Sequence, residues 1–192
     1  MLRGSVAYRL ALIDQDYAAR LGKEFKQYRQ VPPDMRQAVV LAYARSTNDF
    51  DGLVKEYRSS SSDEDKAYYL NAMTAFTDHD LIKRSFEFAL SGAVKRQDII
   101  GILGGAVEKP EARDIAWAWL QSNMSKLQEL YQNTGLLPEI FMGATPILGI
   151  GRVAEVEKFF ATHRMQGAET GIDAGLEKLQ VYDRLVRNIM QN

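Results

Sequence analysis

Val39-Val40-Leu41-Ala42-Tyr43-Ala44 sets Leu41 three positions before Ala44, so both fall on one face of a helix. The same spacing returns 31 positions later as Ala72 with Ala75, and again as Leu103 with Ala106. Alanine at such a position lets a neighbouring helix approach closely. Ahead of each pair stands a second recurring feature: Glu24-Phe25, Glu56-Tyr57, Glu87-Phe88 and Ala118-Trp119 follow one another at intervals of 32, 31 and 31. Self-similarity at this period is the mark of stacked helical hairpins, none of which buries its apolar stripe without its neighbours. The fold expected is therefore all-α, a HEAT-like superhelix of stacked antiparallel helix pairs. An ordinary helical bundle is the alternative.

The segments between these pairs read as turns. Val31-Pro32-Pro33-Asp34 ends a first amphipathic stretch closed by Phe25 and Tyr28, and Met35, Ala38, Leu41 and Ala42 open the next face. Asn48-Asp49 restarts a helix through Leu53, Val54 and Tyr57, and Ser59-Ser60-Ser61-Ser62-Asp63 leads into Tyr69, Leu70, Met73 and Phe76. Regular hairpins are thus expected over about residues 5–109, and a longer helix with capping helices over 110–192, all as one helical-repeat domain. Residues 111–131 read as one long amphipathic helix opened by Pro110. Pro138, Pro146, Gly143, Gly149 and Gly151 predict short or interrupted helices over residues 136–151. Regular spacing resumes over residues 153–162 and 170–190, where Glu177, Lys178, Asp183, Arg184 and Arg187 suggest the polar outer face of a terminal cap.

Composition removes several function classes. The 192 residues carry 24 Lys plus Arg against 25 Asp plus Glu, a net charge of −1 that offers no field for nucleic acid or an anionic membrane. The absence of cysteine excludes disulfides, thiolate zinc sites and a cysteine nucleophile, and a cytoplasmic location is the expectation. No apolar run approaches the roughly 18 residues of a membrane span.

Histidine is equally scarce. His79 and His163 lie 84 positions apart, so no HExxH pair is present; Asp78-His79-Asp80 reads as a helix cap and His163 as a helix end. Gly101, Gly104 and Gly105 lie in an apolar helical pattern and read as close-packing positions rather than a dinucleotide loop. The stretch from Gly143 to Arg152 lacks the Gly-Lys-Ser/Thr ending of a phosphate loop. Neither catalytic nor metal-ligating residues are expected. Arg36-Gln37 and Arg96-Gln97 stand near the starts of second helices two repeats apart, where guanidinium groups could bind a peptide carboxylate or backbone; ordinary solvated charges are the other reading.

With the repeat in place, two downstream stretches carry a family resemblance. Lys109-Pro110 through Ala116-Trp117-Ala118-Trp119 to Asn123 resembles part of the helical C-terminal domain of gluzincin aminopeptidases. That group includes puromycin-sensitive aminopeptidase, the endoplasmic reticulum aminopeptidases and the tricorn-interacting factors, in which the stretch reads Asn-Pro, then Ala-Trp and Asn-Trp. Met124 stands here for the last Trp. Arg152-Val153-Ala154-Glu155-Val156-Glu157-Lys158-Phe159-Phe160 looks like the family's Glu-Val-x-x-Phe-Phe helix, and the opening Met1-Leu2-Arg3 is also similar.

The resemblance implies a C-terminal fragment of a larger chain. Its zinc helix and Gly-x-Met-Glu-Asn loop lie upstream, and neither motif is present in these residues. It also implies a lid that encloses the peptide body, moves between open and closed forms, and has the parent's catalytic domain and peptide substrates as partners; nucleic acid and membranes are not expected partners. No cofactor is expected in this chain, zinc belonging to the parent's catalytic domain. Arg3, Arg36, Phe76 and Arg96 are the substrate-cavity candidates. A cavity Arg that binds the peptide carboxylate in an antigen-trimming member aligns with Phe76, so the resemblance carries no carboxylate clamp to that position. A stand-alone HEAT-like peptide- or protein-binding scaffold is the alternative function.

Overall fold

A computed structural model of the chain describes residues 2–190; Met1, named in the resemblance above, lies outside them, as do residues 191 and 192. The described residues form an all-α fold of twelve α-helices and one 3-10 helix. Contacts divide the chain into two compact units, Met1–Ile115 and Ala116–Asn192.

In the first unit α1 (Leu2–Ile13) and α2 (Gln15–Leu21) are separated at Asp14, whose carboxylate caps α2 by accepting from the Tyr17 N–H. The expected first helix is therefore broken, and its C-terminal part is a 3-10 helix, Gly22–Gln30, that carries Phe25 and Tyr28. Pro33 opens α3 (Pro33–Thr47), as a proline at the first helical position should. The row α1, α3, α5 (Asp63–Met73) and α7 (Arg96–Val107) forms the inner layer, each member packed on the next. Against it lie α4 (Phe50–Ser59), packed on α5, and α6 (His79–Ala89), which touches both α5 and α7. The 31-residue interval is structural: Leu41, Ala44, Ala72, Leu103 and Ala106 are buried on this row, and Ala75 is buried in the turn that follows α5. Tyr57 and Phe88, successive members of the aromatic series, meet edge to face with centroids 5.6 Å apart.

Of the three glycines in α7, Gly105 alone is a close-packing position. A Cβ there would lie 2.7 Å from Thr74 Oγ1 and 2.8 Å from Asn71 Nδ2, whereas Gly101 and Gly104 have nothing within 4 Å of that place. The reading of all three as packing glycines is corrected accordingly.

Asn48 ends α3 in the left-handed region, φ 52°, and ties two repeats together. Its Oδ1 accepts from the Thr77 N–H at 2.9 Å and its Nδ2 donates to Thr77 Oγ1 at 2.8 Å. Asn48→Ala is expected to lower stability by about 1–2 kcal/mol in urea denaturation, through loss of both bonds and of the residue best suited to this backbone. Asn48→Gly, which retains the backbone preference, isolates the contribution of the amide.

Helix α8 (Pro110–Ser122) spans the division between the units. The long helix expected over 111–131 is broken at Asn123: its Nδ2 donates to the Trp119 carbonyl at 2.8 Å, a local bond that competes with helix continuation, and α9 (Met124–Tyr131) begins anew. The opposite correction applies to residues 136–151. One continuous helix, α10 (Leu136–Leu148), runs through Pro138 and Pro146. Pro138 stands in the first turn, where amide hydrogens have no intrahelical acceptor, and Pro146 stands in the last, where a single bond is lost.

The second unit is built on α10 against α12 (Glu169–Met190), with α11 (Val153–Thr162) also on α12. Within it the two stretches of the resemblance meet: Trp117 Nε1 donates to Glu155 Oε1 at 2.5 Å, and the indole lies edge-on to Phe159 and Phe160. The polar face expected on α12 needs correction. Glu177, Lys178, Arg184 and Arg187 are exposed, but Asp183 is buried, where it accepts from the Gly151 N–H at 3.1 Å and pairs with Arg187 at 2.7 Å. Val181, Leu185 and Ile189 are exposed instead.

Candidate functional site

The first unit carries a cleft of about 760 Å³ bounded by the 3-10 helix, the start of α3 and the Ser59–Ser62 turn with the start of α5. Its floor is aromatic. The Tyr28 and Tyr69 ring centroids are 5.8 Å apart, Phe25 stands edge-on to Tyr69, and Phe25 stacks on Tyr43 at 4.1 Å. Above the rings is a polar group: Tyr28 donates its hydroxyl to Asp65 Oδ1 at 2.5 Å, and the Arg36 guanidinium lies 3.9 Å from the same oxygen and 5.5 Å from the Tyr28 ring. Arg36 Nε also donates to the Val31 carbonyl at 3.3 Å, which orients the side chain.

Asp65 is placed by the local sequence, since Ser62 caps α5 by accepting from the Asp65 N–H. A carboxylate in the first turn also suits the helix dipole. Burial, then the charges of Asp65 and Glu56, push the Tyr69 phenol up to about 12. Burial, then the bond to Asp65, raises Tyr28 as well. Both phenols thus stay protonated, with the Tyr28 hydroxyl hydrogen committed to Asp65. The cleft thus presents aromatic rings, serine hydroxyls and the Arg36 guanidinium along its lining.

Of the four sequence candidates only Arg36 lines this cleft. Arg3 is exposed on α1 and Arg96 is exposed in the first turn of α7, so the equivalence in sequence does not bring the guanidinium groups together in the cleft. Phe76 is 1% exposed and packs against Phe50 in the core. Sequence reading missed Tyr28, Asp65 and Tyr69 as site residues; the Ser62-x-x-Asp65 capping pattern is the signal that marks the rim.

A second polar group lies inside the unit. Lys109 is 1% exposed, and its Nζ donates to the Gly105 carbonyl at 2.8 Å, Thr74 Oγ1 at 3.0 Å, and the carbonyl and Oδ1 of Asn71 at 3.2 and 3.4 Å. The Tyr8 hydroxyl lies 2.9 Å from both Asn71 Oδ1 and Glu108 Oε2, within hydrogen-bond reach of either. Among the described residues no group of three or more His, Cys, Asp or Glu side chains is placed to hold a metal ion. Asp78 caps α6 by accepting from the Asp80 N–H, and His163 Nδ1 lies 3.0 Å from the Phe159 carbonyl at the end of α11. No helix of the described residues is long and apolar enough to cross a membrane.

The first unit is an all-α row of helix pairs that carries a cleft lined by aromatic and polar side chains. The sequence model of the ERAP1-like C-terminal domain matches residues 1–181, and the chain belongs to that family. It is similar to a leucyl aminopeptidase of Saccharolobus solfataricus, 36% identical over 183 residues that make up 94% of this chain and 23% of the relative. It is similar also to aminopeptidase M1-C of Oryza sativa subsp. japonica, 30% identical across 82% of this chain and 18% of the relative. Tricorn protease-interacting factor F2 of Thermoplasma volcanium is 26% identical across 98% of this chain and 24% of the relative. The chain thus spans about a quarter or less of the length of these curated relatives, and it matches their C-terminal portion.

Proposed function

We propose that this chain is the lid and substrate-cavity portion of a cytoplasmic zinc metalloaminopeptidase that trims N-terminal residues from peptides, and that it has no catalytic activity by itself. The observation that carries the reading is the family match along nearly the whole chain, to a region that relatives named as aminopeptidases keep at their C-terminal end. Zinc, with the water it activates, belongs to the catalytic domain of the parent, which is the partner of this one. The contribution of the helical domain is access and the holding of the peptide body.

The Arg36 cleft supports this role. Tyr28 and Tyr69 offer flat apolar rings to side chains, the Ser59–Ser62 turn offers hydroxyl groups, and Arg36 offers a planar donor to a carbonyl or carboxylate. Two measurements test the proposal. Purified chain incubated with zinc and an unblocked peptide is expected to release no N-terminal residue; appreciable turnover would overturn the reading. Arg36→Ala is expected to weaken binding of a fluorescein-labelled nonapeptide about tenfold by anisotropy, the loss of one charge-assisted contact. Unchanged affinity removes the cleft from the proposal.

A further inference from the structure

The turn between α7 and α8 carries charges that do not balance. Buried Lys109 donates to oxygens of Gly105, Thr74 and Asn71, so its ammonium is held by α7 and by α5 with its C-terminal end. On either side of it in sequence stands a carboxylate paired with an arginine of another inner helix: Glu108 lies 3.7 Å from Arg9 of α1, and Glu111 lies 3.0 Å from Arg45 of α3. While Lys109 is protonated, three cations thus face two carboxylates; once the proton leaves, the two pairs balance. Among the other groups nearby, Asn71 and Thr74 are uncharged, and burial, then Glu108, raises the Tyr8 phenol, so it stays protonated. His79, at the start of α6, acts on Glu111.

The signs of these charges divide by element. Burial is the largest influence on Lys109 and pulls its ammonium down to about 7; Glu108 and Glu111, which oppose this, belong to its own turn and the start of α8, whereas Arg45 and Arg9, which add to it, belong to α3 and α1. A proton on Lys109 therefore pushes against α1 and α3 and is retained by the residues beside it.

Of the two helices, α1 is the more lightly held. Against α3 it buries Gly4, Ala7, Tyr8 and Ala11, with Leu12 partly buried, while Leu2, Val6, Leu10 and Ile13 are exposed. By contrast α3 buries Ala38, Val39, Val40, Leu41 and Ala42 in succession. Small side chains remove little apolar area from water, so much of the attachment of α1 falls on Tyr8 and Arg9. The Tyr8 hydroxyl reaches Asn71 Oδ1, the same oxygen that lies 3.4 Å from Lys109 Nζ.

We propose that Lys109 is a proton-operated latch on α1: the protonated side chain loosens the hold of α1 on the inner row, and α1 closes as the proton leaves. Opening of α1 withdraws Arg9 and frees Glu108 to face the ammonium, so the open form binds the proton more tightly, and acid favours opening. Tyr8, Arg9 and Glu108 line a cleft of about 330 Å³ together with Asp34 and Gln37, so a proton inside the unit reshapes a site on its surface.

Hydrogen exchange of the full chain at intervals between pH 6 and pH 8.5, located by peptide mass and divided by the unstructured rate at each pH, reads the latch. Protection of α1 is expected to rise about tenfold across this range, the effect of a one-unit difference in Lys109 pKa between closed and open α1, while α5 and α7 rise less. Lys109→Met is expected to remove the rise in α1. Arg9→Gln, at an exposed position, is expected to reduce it to about threefold or less, and to move the Lys109 midpoint upward in NMR of a chain with isotope-labelled lysine. His79→Gln is expected to leave the rise unchanged.

Equal protection of α1 across the pH range overturns the proposal, as does an equal rise in α1, α5 and α7, which is the signature of global stability alone. A rise that survives Lys109→Met, or that disappears in His79→Gln, overturns it too. Should Lys109→Met not fold, the wild-type chain decides: a rise in α1 protection whose midpoint departs from that of Lys109 by more than about one unit refutes the latch.

Discussion

Lys109→Met is expected to lower the stability of the first unit by about 2–4 kcal/mol at neutral pH, and the deficit is expected to widen as pH rises. The side chain is buried and its Nζ donates to oxygens of Gly105, Thr74 and Asn71, joining α7 to α5 and its C-terminal end. Methionine fills a similar volume but leaves the Gly105 carbonyl and the Asn71 group with fewer donors, and an unsatisfied buried acceptor costs about 1–3 kcal/mol.

The pH dependence follows from burial. Desolvation, the largest influence, pulls the Lys109 ammonium down to about 7 from its ordinary 10.5; Glu108 and Glu111 oppose this, while Arg45 and Arg9 add to it. Below pH 7 the group is charged in both folded and unfolded chains, and the cost of burying the charge is fully present. Between 7 and 10.5 the unfolded chain binds more protons than the folded one, so wild-type stability rises with pH, by at most about 1.4 kcal/mol per unit. The methionine variant lacks this gain. Urea denaturation of both proteins at pH 6 and pH 9 checks the result; a difference that is the same at both pH values would show that Lys109 does not titrate in this range.

Gly171→Ala is expected to cost about 2–3 kcal/mol, the second large effect. On α12 a Cβ at this position would lie 2.1 Å from the Pro138 carbonyl oxygen and 2.3 Å from its Cα. The obstacle is backbone, so α10 and α12 must separate, and their contact is the basis of the second unit. The better helix propensity of alanine offsets only part of this, about 1 kcal/mol. Gly143→Ala is the matched control. It lies inside α10 with nothing within 4 Å of a Cβ, and it is expected to be neutral or to stabilise by up to about 1 kcal/mol. Thermal unfolding of the two variants separates close approach from propensity; equal shifts would exclude the packing argument.

The inner row was legible because its signal is periodic. Leu41, Ala72 and Leu103 occupy equivalent places between equivalent neighbours, so the same small or apolar residue recurs at 31 positions, and all three are buried. Capping was legible for a similar reason: Asp78 and Ser62 act on backbone two or three residues away. Features that depend on distant partners left no such trace. Gly101, Gly104 and Gly105 look alike in sequence, and only the approach of Asn71 and Thr74 makes Gly105 different. Asp183 has the composition of a surface residue until Gly151 supplies an amide to it from 32 residues away. The proline-rich residues 136–148 remain helical because both prolines fall in terminal turns, a matter of where the helix begins and ends.

The cleft divides in the same way. Arg36 was identifiable by its place at a helix start, and Asp65 was implicit in the capping pattern, but the meeting of Asp65 with Tyr28 requires the fold to join positions 37 apart in sequence. Taken alone, the sequence determined the all-α class, the 31-residue period, the exclusion of thiol and HExxH chemistry, and the family resemblance, because each is a property of residue types at short, regular spacing. The tertiary structure alone decided that Phe76 is core, that Lys109 sits among four oxygen acceptors, that Trp117 meets Glu155, and that α1 presents a second apolar face. These depend on which side of a helix is covered, and that is set by neighbours remote in the chain rather than by the residues themselves.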